Sequence, residues 1–143
     1  MPRYTASRTL LAPLEDVWGF LAEPHHLSDW WPGIAGVEPD RRGLAPGARW
    51  QIRSGGQPSF GLALFRRPSA VGMLLVTAVE QGRRVAFQLT GEHIHAELEL
   101  ESAAPDRTLV RLAVEAPWAA VTRSFPRRAL TRLYDLVQTA AEL

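Results

Sequence analysis

The sequence predicts an α+β fold in which one antiparallel sheet packs against a C-terminal helix, with two short helices after the first strand. Apolar and polar residues alternate strictly from His93 to Glu101, which is typical of a strand with one buried face. From Pro126 the apolar residues recur at helical spacing almost to the end of the chain. Between Pro13 and Pro24, apolar residues recur at the same helical spacing over a shorter segment. A sheet with helices before and after it in the chain follows from these patterns.

The N-terminal segment predicts a strand and two short helices. Residues 3–11 alternate imperfectly, as in a strand. Pro13 suits the first turn of the next helix, because its missing N–H would be unpaired there in any case. Pro24 ends that helix, since the residue before a proline is pushed out of helical geometry. Residues 25–29 then leave room for only a turn or two of a second helix.

The middle of the chain predicts an antiparallel meander. We expect strands near residues 34–41, 48–54, 60–66, 70–80, 84–90, 93–102 and 107–116. Between residues 54 and 72 the pattern does not define where strands begin and end. If Trp50 and Ile52 share the inner face of their strand, Arg49 and Arg53 face solvent. The apolar stripe of the terminal helix consists of Leu130, Leu133, Tyr134, Val137 and Ala141.

Composition excludes several classes of function. With 143 residues, 46% hydrophobic and 22% charged, the chain is expected to form one globular domain over residues 1–143. It has no cysteine and no lysine, which excludes thiolate nucleophiles, disulfides and Schiff bases. The net charge of +1 gives no reason to expect nucleic acid as a partner. Neither a signal-peptide core nor a membrane-spanning run is seen, so we expect a cytoplasmic protein without membrane insertion.

Two motifs near the N-terminus resemble those of a known superfamily. They read Arg8-x-Leu10-x-Ala12-Pro13-x-x-x-Val17-Trp18 and Pro24-His25-x-Leu27-x-x-Trp30-Trp31-Pro32. This pattern resembles the START-like superfamily, or SRPBCC group, which includes the polyketide cyclase/dehydrase and lipid-transport proteins. The order of predicted elements also matches its helix-grip fold, in which a curved antiparallel sheet of about six to seven strands wraps a long C-terminal helix.

The resemblance implies a deep, mainly apolar cavity between the sheet and the terminal helix. The first expectation is therefore a carrier or binding protein for a small hydrophobic ligand that is lipid-, sterol- or polyketide-like. The alternative is a polyketide cyclase or dehydratase acting in the same cavity, so whether the chain is an enzyme stays open. A third hypothesis is a protein–protein interaction module. No cofactor is predicted, and the ligand and the oligomeric state, including a homodimer, stay open.

Aromatic and polar residues supply the candidates for this cavity. Trp30 and Trp31 lie either at its mouth, where their rings stack on an apolar ligand, or in the core. Arg8 shares the inward face of its strand with Leu10, so it needs a carboxylate or several carbonyl partners, or else contacts the ligand. The candidate ligand-binding residues are Trp30, Trp31, Trp50, Phe87, Arg8 and Tyr134. Residues expected to be plain core are Phe60, Phe65, Met73 and Trp118.

Catalytic and metal-binding patterns are weak. Arg8, Tyr134 or Thr77 would be the polar groups of a cyclase cavity, but no catalytic residue is selected. His93, His95 and Glu97 share one face of a strand, yet two further glutamates share it too, so a solvated face accounts for them better than a metal site. A final group of arginines either captures an acidic head group or forms a solvated face, and the second is favoured. It comprises Arg123, Arg127, Arg128 and Arg132.

Overall fold

A computed structural model describes residues 2–54, 71–90, 93–117 and 123–142. In these ranges the chain forms β1 (Arg3–Leu10), α1 (Leu14–Ala22), a 3-10 turn (Pro24–His26), α2 (Leu27–Trp30), β2 (Ile34–Glu38), β3 (Arg49–Ser54), β4 (Val71–Glu80), β5 (Arg84–Leu89), β6 (Ile94–Ala104), β7 (Arg107–Glu115) and α3 (Phe125–Glu142). The order confirms the predicted α+β class and its helix-grip arrangement.

The strands form one curved antiparallel sheet in the order β1-β7-β6-β5-β4-β3-β2. The register places Arg8 opposite Val110 and Phe87 opposite Ala96. The β4–β5 register shifts between Val76 and Ala78, and similar shifts occur in the β2–β3 and β6–β7 pairs. Such irregularities bend the strands, because an extra residue on one side increases the local twist. The sheet therefore curves around α3, which lies against β1 and β7.

The two faces of the sheet differ as the alternation predicted. In β6 the buried residues are Ile94, Ala96, Leu98 and Leu100. Trp50 and Ile52 are also buried, whereas Arg49 and Arg53 are exposed. Thr108 is fully buried and donates a hydrogen bond to the carbonyl of Ala12 at 2.8 Å, which fixes the segment before α1 against β7. The inner face thus forms the wall of the core.

Ion pairs cover the outer face of the sheet. Arg84 Nε lies 2.7 Å from Glu97 Oε1, and each side chain is about one-third exposed. This hydrogen bond holds the pKa of Glu97 below its ordinary range. Exposed ion pairs of this kind contribute at most about 1 kcal/mol. The face is a solvated one, as the sequence indicated.

Some element bounds differ from the predictions. The β2 strand ends at Glu38 rather than near residue 41, because Pro39 offers no N–H to a ladder and the Asp40 carboxylate accepts the backbone N–H groups of Arg42 and Arg49. Pro13 precedes α1 as its cap instead of lying in its first turn. The strand expected near residues 60–66 lies outside the described residues.

Candidate ligand-binding site

The inner face of the sheet, α1 and α2 enclose a small apolar cavity. Its volume is about 20 Å³, which is enough for about one water molecule. The ten lining residues all have apolar side chains: Leu21, Leu27, Trp30, Leu44, Trp50, Leu74, Val76, Val85, Phe87 and Leu98. Among the described residues, side chains therefore fill most of the space that the resemblance predicted to be a deep cavity.

Trp30 and Trp31 occupy different environments. Trp30 lines the cavity, and both residues are 2% exposed. The Trp31 ring packs edge-on against Phe87 at 5.2 Å and against Phe125 at 4.9 Å between ring centroids. Because these partners lie on β5 and α3, Trp31 joins α2 to both elements. Both rings therefore belong to the core, and of the two only Trp30 borders the cavity; contact of either ring with a ligand stays a prediction.

The 3-10 turn before α2 positions Trp30. The His26 ring stacks on Phe20 with 4.1 Å between ring centroids. Its Nδ1 lies 2.8 Å from the Phe20 carbonyl oxygen. Together with the Glu23 side chain, which accepts the N–H of His25 at 3.3 Å, these contacts hold the turn against the end of α1. The short helix that follows is thereby directed into the core.

Trp50 and Phe87 contribute rings from the strands. Both are 4% exposed and both line the cavity. The indole Nε1 of Trp50 donates to the carbonyl of Gly43 at 2.9 Å, which ties the loop between β2 and β3 to the sheet. Leu44, the next residue of that loop, also lines the cavity. Sequence reasoning missed Leu44, although an isolated leucine between Gly43 and Gly47 was the available signal.

Arg8 and Tyr134 lie together outside this lining. The guanidinium carbon of Arg8 is 4.1 Å from the centroid of the Tyr134 ring. Arg8 Nη1 also donates to Thr131 Oγ1 at 3.4 Å. The expected carboxylate or carbonyl partners are thus replaced by an aromatic ring and a hydroxyl, since a guanidinium stacks well on an aromatic face. The contact joins β1 to α3.

We expect Arg8→Met to lower the free energy of unfolding by about 0.5–2 kcal/mol, because the cation–π contact is lost while the apolar stem is retained. Urea unfolding measures this change. The affinity for an apolar ligand should stay at the wild-type value, since Arg8 is not part of the cavity lining. A large loss of affinity with unchanged stability would instead place Arg8 in contact with the ligand.

Other predicted polar residues lie away from the cavity. Thr77, His93 and His95 are exposed, and Glu97 pairs with Arg84. Within the described residues no three histidine or acidic side chains converge on a metal position. The side chains of Arg123, Arg127, Arg128 and Arg132 are exposed. Met73, expected in the core, is 39% exposed. Phe60, Phe65 and Trp118 lie outside the described residues.

A larger hollow lies on the outer face of the sheet. Its volume is about 400 Å³, and its rim includes Arg3, Glu97, Glu99 and Arg111. Because this hollow is open and charged, an apolar ligand bound there would keep much of its surface in contact with water. It would therefore gain little binding free energy. The smaller interior cavity is the better candidate. None of the helices in the described ranges is both long and apolar enough to cross a membrane.

Comparison with known proteins gives a family match over nearly the whole chain. A family model described as polyketide cyclase / dehydrase and lipid transport matches residues 1–140. None of the curated proteins matches.

Solved structures resemble the fold at low identity. XoxI from Bacillus cereus is 12% identical with a TM-score of 0.71, and the match covers 99% of each chain. A protein from Nitrosospira multiformis is 18% identical with a TM-score of 0.67, covering 99% of this chain and 100% of that one. The di-domain ARO/CYC StfQ from the steffimycin biosynthetic pathway is 21% identical with a TM-score of 0.64, covering 99% of this chain and 45% of that one. The TM-scores show that these proteins share the fold of this chain.

Proposed function

Because this chain belongs to the polyketide cyclase / dehydrase and lipid transport family, we propose that it is a carrier or binding protein for a small hydrophobic ligand. The ligand is lipid-, sterol- or polyketide-like and lies on the inner face of the sheet beside α1 and α2, rather than against the C-terminal helix as the sequence predicted, because none of the described α3 residues lines the cavity. The observation that carries the proposal is the cavity lining, in which two indole rings and a phenyl ring join seven aliphatic side chains. Such a lining favours an apolar ligand, since pockets are largely hydrophobic and aromatic.

Binding requires the interior to open. Ligand pockets commonly measure about 300–1,000 Å³, far more than the cavity of about 20 Å³ next to Trp50. A ligand must therefore displace side chains or a loop when it enters. Its burial supplies about 25 cal/mol for each Å² of apolar surface removed from water, which offsets the cost of that displacement.

The second candidate function is a polyketide cyclase or dehydratase. The likeness to the ARO/CYC protein StfQ favours it. General acid–base catalysis needs at least two titratable groups converging on the bound substrate. The residues that line the cavity include no titratable side chain, and Arg8 and Tyr134 contact each other elsewhere. Carriage therefore fits the described residues better than catalysis.

The experiment is a calorimetric titration with N-phenyl-1-naphthylamine, an uncharged aromatic probe. Leu21 and Leu14 are both half-buried leucines of α1, but only Leu21 is among the lining residues. We expect saturable binding to the wild type, and a loss of affinity of about tenfold or more in Leu21→Trp, because the larger ring fills the cavity. The matched control Leu14→Trp should bind within about twofold of the wild type.

The absence of saturable binding to the folded wild type would overturn the proposal. Equal effects of Leu21→Trp and Leu14→Trp would remove the cavity as the binding site. Circular dichroism of each variant verifies that the fold is retained.

A further inference from the structure

The loop between β2 and β3 supplies a cavity residue that neither a strand nor a helix holds in place. Leu44 lies in this loop, whereas the other nine lining residues lie on helices or strands. Backbone hydrogen bonds of the sheet ladders and of α1 hold seven of these residues, and Leu27 and Trp30 of the one-turn helix α2 are held by their burial in the core. Leu44 is also only half-buried. The lining is therefore least constrained at Leu44.

The Asp40 carboxylate bonds to the backbone on both sides of the loop. One carboxylate oxygen accepts the N–H of Arg42 and the other accepts the N–H of Arg49, both at 3.0 Å. The hydrogen bond from Arg49 is the larger cause that holds the pKa of Asp40 below its ordinary range, followed by the bond from Arg42. Both bonds are exposed to solvent, so each contributes only modestly to the closed conformation. A further exposed bond runs from Arg42 Nη1 to the Gly47 carbonyl at 3.1 Å.

Two glycines of the loop adopt backbone conformations with positive φ. Gly43 has φ +62° and Gly47 has φ +85°, conformations that cost little without a Cβ. Beyond Gly47 the chain is fixed to β4, because Gly47 N donates to the Val76 carbonyl at 2.8 Å and Val76 N donates to the Ala48 carbonyl at 2.9 Å. Residues 41–46 therefore lie outside the ladder, although the Ala45 carbonyl accepts the N–H of Ala48 at 3.0 Å.

We propose that residues 41–46 are a lid over the cavity and that the hydrogen bonds of Asp40 hold this lid closed. When a ligand enters, it replaces the Gly43 carbonyl as the acceptor of the hydrogen bond from Trp50 Nε1. This inference rests on the proposed function. As Leu44 leaves the cavity, the bond of 2.9 Å between Trp50 Nε1 and the Gly43 oxygen breaks. The indole N–H then faces an apolar interior, where an unpaired donor is unfavourable.

This exchange defines the class of ligand. A ligand that offers Trp50 an acceptor, such as a ketone or ester oxygen, is favoured over a plain hydrocarbon of the same shape. A charged ligand is disfavoured, because no lining residue carries a charge to pair with it. The lid therefore selects an uncharged, mainly apolar molecule with a hydrogen-bond acceptor.

Stopped-flow binding of N-phenyl-1-naphthylamine tests whether Asp40 holds the lid closed. Asp40→Asn replaces one accepting oxygen by a donor, so the closed lid is weakened and the association rate constant should rise about fivefold, which corresponds to one net hydrogen bond. The matched control is Glu38→Gln, an exposed carboxylate two residues away that lies 4.0 Å from Arg53. It should leave the rate at the wild-type value. Leu44→Ala, which shortens the side chain in the cavity, should also raise the association rate constant. It replaces Asp40→Asn as the test of the lid if that variant does not fold.

A matched pair of ligands tests the acceptor. The ketone 2-acetylnaphthalene and the hydrocarbon 2-isopropylnaphthalene have nearly the same shape, and each can displace the fluorescent probe. We expect the wild type to prefer the ketone by about fivefold, Trp50→Phe to lose that preference, and Trp18→Phe, at a residue outside the cavity lining, to keep it. An unchanged preference in Trp50→Phe would overturn the acceptor assignment.

The outcomes separate this inference from the proposed function. If the wild type binds the probe but neither Asp40→Asn nor Leu44→Ala changes the association rate, the lid is refuted and the binding function stands. If folded wild type and both variants fail to bind any of the three compounds, the proposed function fails and the inference fails with it.

Discussion

Trp31→Ala should lower the free energy of unfolding by about 3–5 kcal/mol, the usual cost of removing a large buried ring. Trp31 is 2% exposed and packs edge-on against Phe87 and Phe125. Its loss removes contacts among α2, β5 and α3 and leaves a cavity that these elements cannot readily close. Urea unfolding measures the effect, which is large against a typical stability of about 5–15 kcal/mol.

Trp18→Ala is the matched control for this substitution. Trp18 lies on α1 and is only partly buried against the core, so its removal should cost clearly less. Trp31→Phe should lie between the wild type and Trp31→Ala, since an aromatic ring is retained. Equal losses for Trp18→Ala and Trp31→Ala would contradict the role given to Trp31.

Leu74→Ala should destabilise the protein by about 2–5 kcal/mol and at the same time enlarge the site for apolar ligands. Leu74 is fully buried and lines the interior cavity. Removing its branched end joins new empty space to that cavity. Because a ligand that binds only the folded state stabilises it, an excess of N-phenyl-1-naphthylamine should raise the Tm of this variant more than that of the wild type.

Leu112→Ala provides the comparison for the ligand effect. Leu112 is a fully buried strand leucine that is not part of the lining. Its substitution should cost a similar free energy of unfolding, but the probe should not raise its Tm beyond the wild-type increase. If the probe raises the Tm of both variants equally, binding does not occur at the cavity.

The sequence predicts the fold well where periodicity is strict. In β6 every second residue from Ile94 to Leu100 is apolar and buried, because a strand with one wet face imposes a period of two. The prolines near α1 and the two adjacent tryptophans likewise predict the bounds of the short helices near the N-terminus. Such patterns depend on neighbouring residues, so a single sequence contains them.

Contacts between distant segments could not be predicted in this way. Trp30 and Trp31 are the same residue type at adjacent positions, so the local sequence pattern does not distinguish them. Only the packing of β5 and α3 decides which of them faces the cavity. The partner of Arg8 is Tyr134, more than a hundred residues away. The cavity volume depends on how closely whole side chains interdigitate, which spacing along the chain does not encode.

The most direct test is the ¹H–¹⁵N NMR spectrum of the tryptophan indoles, recorded during titration with N-phenyl-1-naphthylamine. The central claim is that the apolar interior next to Trp30 and Trp50 binds a hydrophobic ligand. We predict that the Trp30 and Trp50 indole signals shift saturably, whereas the signal of Trp18, which does not line the cavity, stays in place. Saturable binding that leaves Trp30 and Trp50 unshifted, or no binding at all, would contradict the claim.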